Sequence, residues 1–215
     1  AEGWVALPYV WNADGSDAVL KVGGARKPVD FTKPDGTKMS ISYSVPNKNQ
    51  CKQCHSTKDS VMPVGPVWQN LSFTNAKAQL AFEARGAAPA KLAALEAKWD
   101  DSKSGALEAR ALAYLRVNCG HCHKPTGSAS TSGLFYDDHD RNAAARGIGK
   151  RPVAAGRGSG NFDFVIEPGH PERSILIYRM KSTDPGIAMP ELGRATAHDE
   201  GVALLEAWIK SLPVS

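Results

Sequence analysis

The sequence predicts a mainly α chain in two units, 1–104 and 105–215, each built around a Cys-x-x-Cys-His pentapeptide, with a small β-rich segment at the start. Three observations predict this. All four cysteines fall in two copies of one spacing, CKQCH at 51–55 and CGHCH at 119–123. The amphipathic stretch LEARALAYLRVN runs directly into the second copy, and a second such stretch, HDEGVALLEAWIKSL, occupies 198–212. Residues 1–50 carry turn signals and short β-branched runs instead.

In chain order, Val19–Val22 and Val29–Phe31 are strand candidates, and KPDGTK places Asp35-Gly36 as a hairpin turn before KMSISYS. Pro46 and Asn47 in YSVPNKNQ predict a loop, not a helix, ahead of the first pentapeptide. AKAQLAFEARG and APAKLAALEAKWD then predict two short helices with Leu80, Phe82, Leu92, Leu95 and Trp99 as apolar positions. The DDSKSG stretch ending at Gly105 marks the junction and the next helix cap. Beyond it Leu107, Ala111, Leu115 and Cys119 recur every fourth position, one face of a helix. The stretch 140–162 is rich in Gly and Arg and reads as a mobile surface loop. Its GIGK is not a phosphate-binding loop, because Ala144 stands where that motif needs Gly and Arg151 follows the lysine. HPERSILIYRMKS predicts a helix carrying Ile175, Ile177, Tyr178 and Met180. PGIAMPELG reads as an extended loop that presents Met189. Leu204, Leu205, Trp208, Ile209 and Leu212 form the stripe of the last helix.

Four chemistries compete for the cysteines. Disulfides suit an exported chain but need no histidine, and a Cys pair three apart closes only a small strained ring. Zinc ribbons set their two knuckles about 15–20 residues apart, far closer than these. A thioredoxin-like redox pair needs one motif beside a βαβ unit, not two. Covalent attachment of c-type haem uses every residue of the pattern: two thiols at the separation of the porphyrin vinyl groups, and an imidazole placed under the iron. The expectation is therefore two covalently bound haem c groups, anchored by Cys51 and Cys54, and by Cys119 and Cys122, with His55 and His123 as iron ligands. His121, between the second pair of thiols, is expected at the surface.

At LEARALAYLRVNCGHCH the chain resembles the class I cytochrome c family, with small Ala111 and bulky Leu115 ahead of the motif and Trp208 on the last helix as its aromatic partner. The resemblance implies that Ala111 lets the C-terminal helix cross closely, and that Met189, on a Pro-flanked loop before that helix, is the sixth ligand of the second iron. A thioether there favours ferrous iron and raises the potential. VGPVWQNL after His55 is similar to the family's Gly-Pro element, and implies that the Pro66 carbonyl accepts the proximal Nδ1–H. In the second unit the equivalent acceptor is not evident, since Pro125 follows His123 too closely. The family has no counterpart of residues 1–50.

The sixth ligand of the first iron is harder to assign. Met62 lies seven residues after His55, a span of at most about 23–25 Å, and must round the ring edge with Pro63 beside it. Met39, on a probable strand with Ile41 and Tyr43, has more room and is the favoured candidate. His139, His170 or His198 from across an interface, or no protein ligand, are the alternatives.

The whole resembles a two-haem c-type cytochrome, which implies single-electron transfer between redox partner proteins: a donor dehydrogenase or cytochrome, and an acceptor reductase or oxidase. The alternative is a haem enzyme, peroxidase-like, or a ligand sensor using an open first haem; no acid–base constellation for catalysis is evident. The formal charge of +4 is spread along the chain without a dense basic block, which argues against a nucleic-acid interface. No run approaches the roughly 18 apolar residues of a membrane span. The opening AEGW is compatible with a mature end after signal-peptide removal, and haem attachment outside the cytoplasmic membrane implies a periplasmic location.

Overall fold

The computed structural model describes residues 3–33, 35–58, 60–65, 97–137 and 142–214. The two helices expected over 76–86 and 88–100 lie outside these residues as far as residue 96, and the described end, 97–100, is not helical; Pro66 and His139 also lie outside them.

The N-terminal part is a series of hairpins. β1 (Tyr9–Trp11) pairs antiparallel with β2 (Ala18–Leu20), and β3 (Ala25–Thr32) with β4 (Lys38–Val45). The expected turn joins β3 to β4. The Lys33 amide donates to the Thr37 carbonyl, the Thr37 amide to the Asp35 carboxylate, and Gly36 takes a φ of 88° that a side chain would resist. Helix α1 (Lys48–His55) follows, and a short hairpin of β5 (Ser56–Thr57) and β6 (Ser60–Val61) closes behind it. Asn47 does not lie in a loop ahead of the motif as its neighbour Pro46 suggests. Its side chain accepts from the amides of Asn49 and Gln50, and Gln50 returns a bond to the Asn47 amide, a complete capping box.

In the C-terminal part, helix α2 (Leu107–Cys119), helix α3 (Ile175–Lys181) and helix α4 (Asp199–Ser211) surround the core. Ala111 and Leu115 are fully buried on the face read from the sequence, and Leu107 and Cys119 pack at its ends. The α4 stripe Leu204, Leu205, Trp208 and Ile209 is buried against them, with Ile166, Ile177 and Val202 completing the cluster. The close approach of α2 and α4 is set at Gly201, where an added Cβ would overlap the Tyr114 ring. Ala111, for which the resemblance implied this role, is fully buried in the same core.

The expectation of a mainly α chain made of two haem domains, the second class I cytochrome c-like, is not met. Among the described residues four helices, only two of them as long as 13 residues, stand beside three small two-stranded antiparallel sheets, and short 3-10 turns and irregular chain connect the rest. The hairpins before residue 48 agree with the β-rich start that the sequence predicts. The departure lies at 120–174, where short 3-10 turns and glycines at positive φ, Gly133, Gly147, Gly149 and Gly160 among them, turn the chain where helices would be needed.

The stretch expected as a mobile surface loop lies at the surface but is anchored at a few points. Ala145 is buried, the Phe135 amide donates to its carbonyl, and Ile148 bridges to Ile166. The arginines there have protein partners: Arg146 with Glu108 (3.5 Å), Arg151 with Asp163 (2.8 Å) and Arg157 with Asp184 (2.8 Å). Arg141 lies outside the described residues.

Candidate functional site

On α1 the residues Cys51, Cys54 and His55 occupy positions i, i+3 and i+4, one helical face. The β5–β6 hairpin then folds the chain back, so that the Met62 amide donates to the His55 carbonyl (2.6 Å) and the Met62 carbonyl lies 3.3 Å from His55 Nδ1. A carbonyl only accepts, so His55 Nδ1 carries the proton and Nε2 keeps its lone pair for a metal. This is the second contact that orients a ligating imidazole. The residue expected to supply it, Pro66, lies outside the described residues.

The second motif begins at the last residue of α2 and continues as a tight turn. The His123 amide donates to the Cys119 carbonyl (2.9 Å), and the Tyr136 amide to the His123 carbonyl (2.9 Å). His123 Nδ1 lies 3.2 Å from Ser132 Oγ, whose own proton goes to the Ala129 carbonyl at 2.7 Å. Ser132 can therefore only accept from the imidazole, and His123 Nε2 is again the free lone pair. The Tyr136 ring packs edge-on at 5.7 Å. Burial holds the His123 pKa below its ordinary value, which keeps the ring neutral as a metal ligand must be. Ser132, the acceptor that sequence reading could not find, lies nine residues beyond His123 on a 3-10 turn (Ser130–Ser132), with no motif to announce it.

All four thiols are free. Burial pushes Cys119 up to about 12, so it is a protonated thiol. The two motifs are in contact through their second cysteines. Cys54 Sγ and Cys122 Sγ are 3.8 Å apart, and Cys122 Sγ is 3.7 Å from the Gln53 carbonyl. The contact with Cys54 draws the Cys122 pKa down, helped by His121 and Ser128, and the same contact raises that of Cys54. His121, expected at the surface, is half-buried here. Among the described residues Cys54, His121 and Cys122 form a group whose ligand atoms all lie within 4.8 Å of one another, a set able to hold a metal ion.

Met189 is half-buried on the loop between α3 and α4, with its amide donating to the Arg179 carbonyl (3.1 Å). The charge of Arg179, on α3, acts on His123, and that of Glu191, on the loop, acts on Cys54. Arg194 holds this loop. Its guanidinium donates to the carbonyls of Met180 (2.8 Å), Arg179 (3.2 Å), Ser182, Pro190 (3.3 Å) and Thr196 (3.4 Å), closing the open end of α3. Nothing in the spacing of Arg194 marks that role. Met39 pairs across from Phe31 near the turn end of β4, so roughly 20 Å of strand separates it from the start of α1. At that tip Lys33 pairs with Asp199 of α4 (2.9 Å).

The residues fit the group that the motifs suggest. Two imidazoles present a free Nε2, and each has two thiols in the same pentapeptide. In the core beside α2 the buried Trp208 indole N–H has no acceptor among the described residues, a donor that a carboxylate on a bound group would satisfy. No protein-family model, curated protein or solved structure matches the chain. Among the described residues no helix is long and apolar enough to cross a membrane.

Proposed function

We propose that the protein is a periplasmic two-haem c-type cytochrome that passes single electrons between redox partner proteins, a donor dehydrogenase or cytochrome and an acceptor reductase or oxidase. The observation that carries the reading is the paired tautomer control at the two motifs, Met62 carbonyl on His55 and Ser132 on His123, which directs a lone pair outward from each imidazole. In attachment, each thiol S–H adds across a vinyl double bond. A C–S bond forms at one carbon and the hydrogen goes to the other, with no net oxidation. Cys51, Cys54, Cys119 and Cys122 supply these bonds. The bound group supplies one-electron chemistry at iron. His55 and His123 would hold the iron, and their Nδ1 acceptors would set the basicity of the ligands. Met189 is proposed as the sixth ligand at the second motif, positioned by Arg194; Met39, expected as the ligand at the first, stands roughly 20 Å of strand away from α1 and is not proposed for it.

Intact-mass measurement of the natively produced protein is the direct test. The expected mass exceeds that of the polypeptide by two haems, and a redox titration shows two one-electron steps. A mass equal to the bare polypeptide overturns the proposal. An enzyme of the peroxidase kind, or a ligand sensor, differs at the first iron. A high-spin ferric fraction that binds cyanide, CO or peroxide favours those; a low-spin spectrum unchanged by them favours the carrier.

The Cys54, His121 and Cys122 group favours a second reading, a chain that binds a soft or borderline metal ion directly through two sulfurs and a nitrogen. Stoichiometric zinc or copper in the purified protein, with no haem mass, selects it.

A further inference from the structure

A second group of titratable side chains lies apart from the cysteines, where α2 meets the start of α4. Tyr114 of α2 is buried, and its hydroxyl lies 2.8 Å from Nδ1 of His198, the N-cap residue of α4. The two rings stack, with centroids 5.6 Å apart and planes 21° from parallel. Trp99 meets both edge-on, at 5.8 Å from Tyr114 and 4.9 Å from His198. Arg110 fixes Trp99 there, donating through Nε (3.2 Å) and Nη2 (3.1 Å) to its carbonyl. Space for the phenol comes from Gly201, where an added Cβ would overlap the Tyr114 ring and hydroxyl. His198 Nε2 faces the Glu200 carboxylate at 3.6 Å. A carboxylate only accepts, which favours the imidazole hydrogen on Nε2 and leaves Nδ1 as the base that receives the Tyr114 O–H.

Oxidation of a phenol is limited by its proton. Loss of an electron makes the O–H strongly acidic, so the electron leaves readily only where a base stands within hydrogen-bond distance. Among the described residues two tyrosines are buried, Tyr114 and Tyr136. Tyr136 donates to the Arg146 carbonyl (3.4 Å), which is no base; Tyr114 has an imidazole. We propose that Tyr114 is a redox-active tyrosine, an internal site that holds one oxidising equivalent, with His198 as its proton acceptor and Trp99 as the relay toward the surface. An outer-sphere one-electron oxidant, a high-valent metal complex or an oxygen-centred radical, takes one electron. The Tyr114 O–H bond breaks and the proton passes to His198 Nδ1. A neutral phenoxyl radical and an imidazolium remain, and one-electron reduction returns the proton to the phenol. Glu200 offsets the charge of the imidazolium. Burial lifts the Tyr114 pKa to about 12, so the hydroxyl keeps its proton until the electron goes, and it shields the radical from coupling with another phenol. Trp99, half-buried and in contact with both rings, is the group an oxidant meets first. This role is independent of what the pentapeptides bind.

The test is flash oxidation of the intact, natively produced protein, poised oxidised beforehand, by photogenerated tris(bipyridine)ruthenium(III), read by electron paramagnetic resonance of freeze-trapped samples. The expected signal is a neutral phenoxyl radical, identified by the narrowing of its hyperfine structure when tyrosine is ring-deuterated. It is lost in Tyr114→Phe, which keeps the ring and removes only the hydroxyl, and kept in Tyr136→Phe. In His198→Gln, whose amide can accept a hydrogen bond but not a proton, the radical forms about 100-fold more slowly or less readily still. A phenoxyl signal that survives Tyr114→Phe, or a rate unchanged in His198→Gln, overturns the assignment. Should either variant fail to fold, the unaltered protein decides. Radical formation slower in D2O than in H2O is expected; equal rates, a tryptophan radical alone, or no radical at all overturn it.

Discussion

The two motifs share the Cys-x-x-Cys-His pattern and sit in opposite physical settings. The first lies on α1, a helix of eight residues with none buried, held by its capping box and the hairpin behind it. The second closes α2, whose inner face is part of the hydrophobic core. Every buried apolar residue of the described core falls at Ala111 or later, while the N-terminal part leaves Trp4, Tyr9, Trp11 and Val19 more than half exposed. The same pattern of two cysteines and a histidine can thus be organised in two ways. Local hydrogen bonds fix the first motif, and packing fixes the second. It follows that damage to the core disturbs the second motif, and damage to caps and turns disturbs the first.

Substitutions can break or sharpen this contrast. Trp208→Ala removes the largest fully buried side chain and is expected to cost about 3–5 kcal/mol. Denaturant unfolding should show the loss, with the His123 region exchanging amide hydrogens freely. If the first motif loses protection to the same extent, the two settings are not separate. Arg194→Ala leaves up to five carbonyls without their shared donor and is expected to cost about 2–3 kcal/mol, a charged hydrogen-bond network being worth more than neutral bonds. Arg194→Lys should recover little, since a single ammonium cannot reproduce the fork. Amide exchange at 185–196 is the measurement.

Asn47→Ala takes away the cap of α1 and is expected to cost about 1 kcal/mol, read as faster exchange over 48–55 with α2 unchanged. Ser132→Ala is expected to cost about as much, because the His123 Nδ1–H loses its acceptor. In the haem-loaded protein it should also move one of the two potentials upward. An imidazole without an acceptor is less basic and stabilises ferric iron less. A potential that stays in place would assign Ser132 a purely structural part. Smallest of all, Trp11→Ala, at a side chain 62 % exposed, should change stability by less than about 0.5 kcal/mol. A larger loss would mean that the N-terminal hairpins carry packing energy after all.

Much of the C-terminal part was legible because helix periodicity is a local signal. Leu107, Ala111, Leu115 and Cys119 name one face of a helix whatever lies opposite, and the stripe on 204–209 names its complement. The 35–36 turn was legible for the same reason, since an Asp-Gly pair has few backbone options. The hairpins before residue 48 were expected; the balance of helix and strand was misjudged beyond the motifs, where short 3-10 turns and glycines at positive φ occupy much of 120–174. Asn47 was misread because one residue type serves both turns and N-caps, and only the chain that follows distinguishes them.

By itself the sequence determined the donor set: four thiols and two histidines at the spacing of the pentapeptides, with a periodic helix leading into the second. Only the tertiary structure decided which oxygen accepts each Nδ1–H, that Arg194 gathers the carbonyls around the Met189 loop, and that Cys54 comes to rest against Cys122. Those contacts join residues far apart in the chain or depend on where a turn aims a carbonyl. Their partners are ordinary residues such as Ser132, Met62 and Gln53, which become specific only when folding brings them within about 3–4 Å, where hydrogen bonding and van der Waals contact begin.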